Sequence, residues 1–192
     1  VMVDARKAFQ VPGVALVVVR GDQVLILKGY GTRAHDAPDA VTADTVFPLA
    51  SCTKQFTTAL LASLVDDGAL AWDDPVRKHL PGFKLSDPHA DALLTVRDLV
   101  SHRTGLSAHD FLWYKAPWDL PLDYPFRGGF RYTSVPFIAA GRVAEVAGKK
   151  PWAELVRERL IEPLEMKGTA MAPGEIPKDA ERALGHRLTP EG

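Results

Sequence analysis

Two β-rich runs near the start of the chain, Val14 to Val19 and Gln23 to Lys28, flank Arg20-Gly21-Asp22 and constrain the fold more than any other feature. Runs rich in β-branched residues around a Gly-Asp pair predict an antiparallel hairpin. Two strands alone are marginal in water, so this hairpin needs more sheet. No second convincing strand pair follows in the sequence, and the rest of the chain is patterned for helices. The expectation is an α+β fold whose sheet is only begun here.

The helical signals come in order. Val3 to Gln10 reads as the tail of a helix stopped by Pro12-Gly13. Between Cys52 and Asp67, the apolar residues Phe56, Leu60, Leu61, Leu64 and Val65 recur at helical spacing, and Gly68 is placed to end the helix. Its strong apolar face predicts a buried central helix. Asp73-Asp74-Pro75 opens a short helix running to about Leu80, and Thr95-Val96-Arg97-Asp98 matches a capping box leading into another through Val100. A further helix is expected from Val135 to Ala147, closed by Gly148. The last begins at Lys150-Pro151-Trp152, with Pro151 in its first turn, Trp152, Leu155, Val156 and Leu160 on one face and Pro163 at its end.

Composition excludes several classes of function. At 192 residues and 46% hydrophobic, the chain has enough apolar material for one domain, 1–192. A net charge of -1 with scattered basic residues leaves no electrostatic footprint for nucleic acid. The longest aliphatic run, Val14 to Val19, is far too short for a membrane span. No signal-peptide pattern stands near Val1, but a chain numbered from valine could have lost a leader. Compartment is open: periplasmic or secreted if a leader was removed, otherwise cytoplasmic. The single cysteine, Cys52, excludes an internal disulfide and reads as a small packing residue. Histidines at 35, 79, 89, 102, 109 and 186 show neither H-x-H nor H-E-x-x-H spacing, so neither metal nor cofactor is expected.

Phe47-Pro48-Leu49-Ala50-Ser51-Cys52-Thr53-Lys54-Gln55-Phe56 carries the chemistry. Ser51 and Lys54 are three residues apart at a helix start, which puts them on one face within hydrogen-bonding reach. Ser51 alone reads as an N-cap. Lys54 does not fit that reading, because a capping box wants Glu or Gln there and a cation faces the positive end of the helix dipole. The same placement favours a neutral amine able to take a hydroxyl proton. Further on, Ser101 to Leu106 reads as a turn between packed helices, His102 included, and His109-Asp110 as a loop hydrogen bond. Phe111, Trp113, Tyr114, Trp118 and Tyr124 form an aromatic cluster that either lines a cleft for an apolar acyl group or packs its own loop.

Together these segments resemble the penicillin-recognising serine hydrolases, which include class C β-lactamases, D,D-peptidases, D-aminopeptidases and β-lactamase-like esterases. The resemblance runs through the hairpin, Asp44 to Lys54, Asp67-Gly68-Ala69-Leu70, Asp73-Asp74-Pro75-Val76, Leu99 to Leu106, Tyr132-Thr133-Ser134 and Pro163-Leu164-Glu165-Met166. It implies a β-lactamase-like fold and an acyl-enzyme mechanism, with Ser51 as nucleophile, Lys54 as proton acceptor or relay and Tyr132 as proton shuttle. It implies a small ester, amide or D-amino-acid peptide as substrate.

The chain departs from the family pattern twice. Ser134 stands where the Y-x-N motif has its asparagine, a substrate-binding position; a hydroxyl has fewer donors than an amide, which favours an ester. The third motif, K-T-G or H-x-G, is absent, and Lys167-Gly168-Thr169 has the wrong order. The expectation is therefore the N-terminal part of a longer hydrolase, whose missing C-terminal part supplies the remaining strands and acts as the partner of this segment. The alternative is a non-catalytic β-lactamase-like binding or scaffold protein.

Overall fold

In the computed structural model, which describes residues 1–107 and 119–187, the two β-rich runs pair as expected. Strands β1 (Gly13–Arg20) and β2 (Gln23–Gly31) are antiparallel, from Gly13 opposite Gly31 to Arg20 opposite Gln23, around the two-residue turn Gly21-Asp22. Between Val18 opposite Ile26 and Val19 opposite Val24, Leu25 is one residue extra. This bulge lets both ends of the hairpin stay paired. Alternate side chains point to opposite faces, and both faces are bare: Val17 and Leu27 are 57% and 59% exposed, Val18 and Ile26 37% and 42%. The only other sheet pairing between named strands among the described residues is a two-residue parallel pair, β3 (Lys84–Leu85) with β4 (Asp119–Leu120). Among the described residues the sheet is short of strands, as expected.

The chain divides into two units, Val1–Ala50 with Gly168–Gly192, and Ser51–Lys167. In the first, helix α1 (Met2–Ala8) precedes the hairpin, and Arg6 Nη1 donates to the carbonyls of Val11 and Pro12 where the chain turns. Beyond Met166 the sequence shows no periodicity, yet residues 181–184 are stitched to the same unit. Val46 N-H donates to Glu181 O, Ala183 N-H to Val46 O and Leu184 N-H to Arg33 O. The Thr42 hydroxyl foremost, helped by that of Thr45, donates to the Glu181 carboxylate and holds it below the ordinary range against the opposing effect of burial.

The second unit is helical. Its centre is α2 (Thr53–Asp66), which buries Leu60, Leu61 and Leu64 against α6 (Val135–Gly148). The facing residues of α6 include Ala139, Ala140, Val143 and Ala144, all fully buried. Small side chains there let the backbones approach closely. Gly68 ends α2 as expected: with φ +71° it takes the left-handed position, its N-H reaches Val65 O, and Ala69 N-H reaches Leu64 O. That pair of bonds satisfies two otherwise orphaned carbonyls.

Shorter helices pack around this pair: α3 (Val76–His79), α4 (Pro88–Leu93), α5 (Val96–Leu99) and α7 (Trp152–Val156). The Thr95/Asp98 capping box is present at α5. Helix α4 was not expected, although its cap is written in Asp87-Pro88: the Asp87 carboxylate accepts Ala90 N-H at 2.8 Å. Two helix ends differ from expectation. Helix α6 includes Gly148, and its left-handed end residue is Lys149. Pro151 precedes α7 as its cap, and Arg157–Ile161 is a π-helical turn. The i to i+5 bonding adds a residue to the turn and shifts the face, so Ile161 is buried where Leu160 was expected.

Candidate active site

Ser51 lies in a 3-10 turn, Ala50–Cys52, that feeds directly into α2. Ala50 just before it has φ 45°, a left-handed value that costs a non-glycine residue about 1 kcal/mol. Ser51 is exposed and does not cap the helix; the cap position belongs to Cys52, with no side-chain hydrogen bond. Cys52 itself is free and exposed, which corrects the packing role expected of it, since an N-cap residue projects from the helix end and not into its buried face.

Lys54, in the first turn of α2, directs its amine at three hydroxyls. Its Nζ is 2.8 Å from the Tyr132 phenol oxygen, 3.2 Å from Ser134 Oγ and 3.3 Å from Ser51 Oγ. An ammonium has three donors, and these three oxygens use them all. The rings of Tyr132 and Phe137 stand 4.9 and 5.6 Å from the amine, presenting the negative charge of their faces. Among the described residues no carboxylate is paired with Lys54.

Tyr132 closes the cycle by donating its O-H to Ser51 Oγ at 2.8 Å. The hydrogen bond from Lys54 is the main cause that draws the phenol below its ordinary pKa, with Ser51 helping. A phenol in that position is prepared to lose its proton. Ser134 occupies the cap position of α6, but its side chain makes no capping bond and turns to Lys54 instead. Thr133, between them, points the other way: it is 3% exposed, and its hydroxyl donates to Ser107 O at 3.1 Å. This inward anchor leaves Tyr132 and Ser134 to reach the lysine together.

All four residues expected to form the site are therefore brought together. His102, read from the sequence as a turn residue, is also here: its ring stacks on Tyr132 with centroids 4.6 Å apart and planes at 28°. It does lie in a turn, with φ 56°. Burial foremost, then the nearby charge of Lys54, lowers its pKa and favours the neutral ring. The signal that could have found it is its place in the matching Leu99 to Leu106 segment; spacing could not show which ring it would meet.

The loop around His102 is held to the segment before Tyr132. Gly105, at φ +75°, accepts N-H bonds from Asp123 and Tyr124, and any Cβ there would collide with Tyr124 O. Arg127 grips Asp98, which is 5% exposed, with Nε at 2.9 Å and Nη2 at 2.6 Å. Burial alone would raise the Asp98 pKa, but Arg127 and the Thr95 donors outweigh it and hold the carboxyl below its ordinary range. Of the aromatic cluster, Tyr124 is partly exposed and packs over Gly128 and Gly129. Phe111, Trp113, Tyr114 and Trp118, with His109-Asp110, lie outside the described residues.

The β-lactamase family model matches residues 2–191. Penicillin-binding protein 4 of Amycolatopsis lactamdurans is 33% identical over 183 residues, 88% of this chain and 47% of that protein. An unguisins hydrolase of Aspergillus campestris is 31% identical over 184 residues, 85% of this chain and 34% of its own length. The octameric penicillin-binding protein homologue from Pyrococcus abyssi superposes with a TM-score of 0.83 at 25% identity, covering 100% of this chain and 47% of that one. The D-amino acid amidase of Ochrobactrum anthropi, complexed with L-phenylalanine amide, gives 0.77 at 27% identity, covering 97% and 56%. The chain spans about half or less of the length of the curated relatives it matches. With the fold and the matched range in agreement, the chain belongs to the β-lactamase family.

Proposed function

We propose that this chain carries the nucleophilic half of a serine hydrolase that acts on esters or amides through an acyl-enzyme. The observation that carries the reading is the closed cycle of Ser51, Lys54 and Tyr132. In the resting arrangement Lys54 donates to the phenol oxygen and the phenol donates to Ser51 Oγ. Loss of the phenol proton to solvent, favoured by Lys54, turns Tyr132 into the acceptor for the Ser51 proton. Ser51 Oγ then bonds to the acyl carbon, and Tyr132 returns the proton to the leaving alcohol or amine. Water attacks the acyl-enzyme by the reverse route and releases the acid.

Ser134 points to the substrate class. Its hydroxyl offers one donor where a side-chain amide offers two, so it docks an ester more readily than a β-lactam or peptide amide. The named activity of one relative, a D-amino acid amidase, sets amides as the competing substrates. The experiment is turnover of a short acyl ester, a D-amino acid amide and a penicillin by the chain and by its Ser51→Ala variant. Ester turnover lost with Ser51 is expected; turnover retained by Ser51→Ala would refute the assignment.

The bare faces of the hairpin support a second element of the proposal. Further strands, from a segment of a longer protein outside this sequence, pair with the hairpin's edges and supply a backbone N-H that joins the Ser51 N-H in holding the oxyanion of the reacting carbonyl. Lacking one such donor costs on the order of a hundredfold or more in rate. The absent third motif favours the non-catalytic alternative, in which the chain binds cell-wall peptides without turnover. Peptide binding with no adduct on Ser51 would decide for it.

A further inference from the structure

The residues on either side of Tyr132 are both tied to His102. Arg131 N-H donates to His102 O at 2.7 Å, and Thr133 N-H donates to His102 Nδ1 at 3.3 Å. The His102 ring then lies against the Tyr132 ring, and the Phe137 and Phe130 rings stand 5.0 and 5.2 Å from the imidazole. His102 thus holds the chain on both sides of Tyr132, by its backbone carbonyl before and its ring nitrogen after, and its ring backs the phenol ring. We propose that His102 is the positioning residue that fixes Tyr132 between Ser51 and Lys54.

The backbone of His102 suits this task. Its left-handed φ of 56° is a conformation that few side chains adopt, histidine and asparagine among the more frequent. Nδ1 accepts the Thr133 N-H only when it carries no proton, so the clamp requires the neutral ring. A protonated ring would set a donor against a donor and add a cation beside Lys54. Arg103, next in the chain, fixes the loop from outside: its N-terminal neighbour holds Arg131, while its own carbonyl accepts Arg127 N-H at 2.8 Å. Arg131 is itself paired with Asp123 at 2.9 Å, which leaves its charge engaged away from the phenol.

The inference rests on the acyl-enzyme reading but is tested separately. The full chain, labelled with carbon-13 at the tyrosine Cζ, is titrated by NMR, and Tyr132→Phe identifies the resonance of Tyr132. Wild-type Tyr132 is expected to ionise below the usual tyrosine value of about 10. His102→Ala raises that ionisation toward the usual tyrosine value, as the phenol drifts from Lys54. His102→Asn tolerates the same backbone, places a carbonyl acceptor near the former Nδ1 and restores most of the shift. His102→Phe, which keeps a ring and lacks the acceptor, raises the ionisation as well. Labelling of Ser51 by a fluorophosphonate slows in the alanine variant and recovers in the asparagine variant, in step with the Tyr132 ionisation.

A folded His102→Ala protein with Tyr132 titrating as in the wild type overturns the proposal. If that variant does not fold, His102→Phe decides in the same way. Equal shifts in the asparagine and alanine variants also overturn it, because the acceptor would then have no part. Wild-type protein with an ordinary Tyr132 and no label on Ser51 would mean that the acyl-enzyme reading has failed, and this inference with it. A lowered Tyr132 and a labelled Ser51, both indifferent to His102, would remove this inference alone.

Discussion

Tyr132 is 46% exposed and contributes little to the core, so its removal separates chemistry from folding. Tyr132→Phe deletes the O-H that donates to Ser51 Oγ and accepts from Lys54, leaving only the longer direct Lys54–Ser51 bond of 3.3 Å. The fluorophosphonate reaction should slow by about a hundredfold or more, while thermal unfolding stays near that of the parent. The pH profile carries the sign: a lowered phenol pKa places more phenolate near neutrality, so labelling rises with pH through the Tyr132 ionisation. The phenylalanine variant should lose that limb. Ser51 and Lys54 were legible in the sequence because they share one helix face three residues apart. Tyr132 was legible only through the order of matching segments, since 78 residues separate it from Lys54. The part played by His102 was not legible, because it depends on where a turn comes to rest in space.

Among the elements, α5 and the segment before Tyr132 are joined by Asp98 and Arg127, and the partial burial of the pair makes it sensitive. Asp98→Ala leaves the half-exposed Arg127 guanidinium without its carboxylate and unsatisfies the Thr95 cap; a loss of about 2 kcal/mol is expected in urea unfolding. A loss under 1 kcal/mol would show that solvent replaces the pair. Helix α3 supplies a pH test. Lys78 foremost, with Ala71 N-H and His79, outweighs burial and draws Asp74 down to about 2. A depressed carboxylate stabilises above its unfolded pKa, so this contribution is present at pH 5 and is lost as pH falls from about 4 to about 2. Asp74→Asn should remove on the order of 1 kcal/mol at pH 5 and little at pH 2, read by denaturant midpoints. Capping boxes and apolar stripes announced α2, α5 and α6, since both are local signals. The π-helical turn after α7 was not announced, because its register is chosen by which residue, Leu160 or Ile161, finds space in the core.

At the scale of the whole molecule, the proposed reading assigns the hairpin and the Ser51–Lys54–Tyr132 cycle to a hydrolase whose sheet a further segment completes. Val17, Val19, Val24 and Leu27 leave an apolar surface that a stable sheet normally covers. The chain by itself should bind an apolar dye, and Val17→Thr with Leu27→Thr should reduce that binding; a monomer that binds no dye would contradict the incomplete sheet. The hairpin was plain in the sequence from its β-branched runs. The return of residues 181–184 to the same unit was not, because backbone pairing and the Glu181 carboxylate make it without any periodic pattern. The central claim, that Ser51 is an activated nucleophile, is tested most directly by intact-protein mass spectrometry before and after a fluorophosphonate, with peptide mapping. One adduct, on Ser51 and absent from Ser51→Ala, is the predicted result; an unmodified chain, or an adduct elsewhere that survives Ser51→Ala, would contradict it.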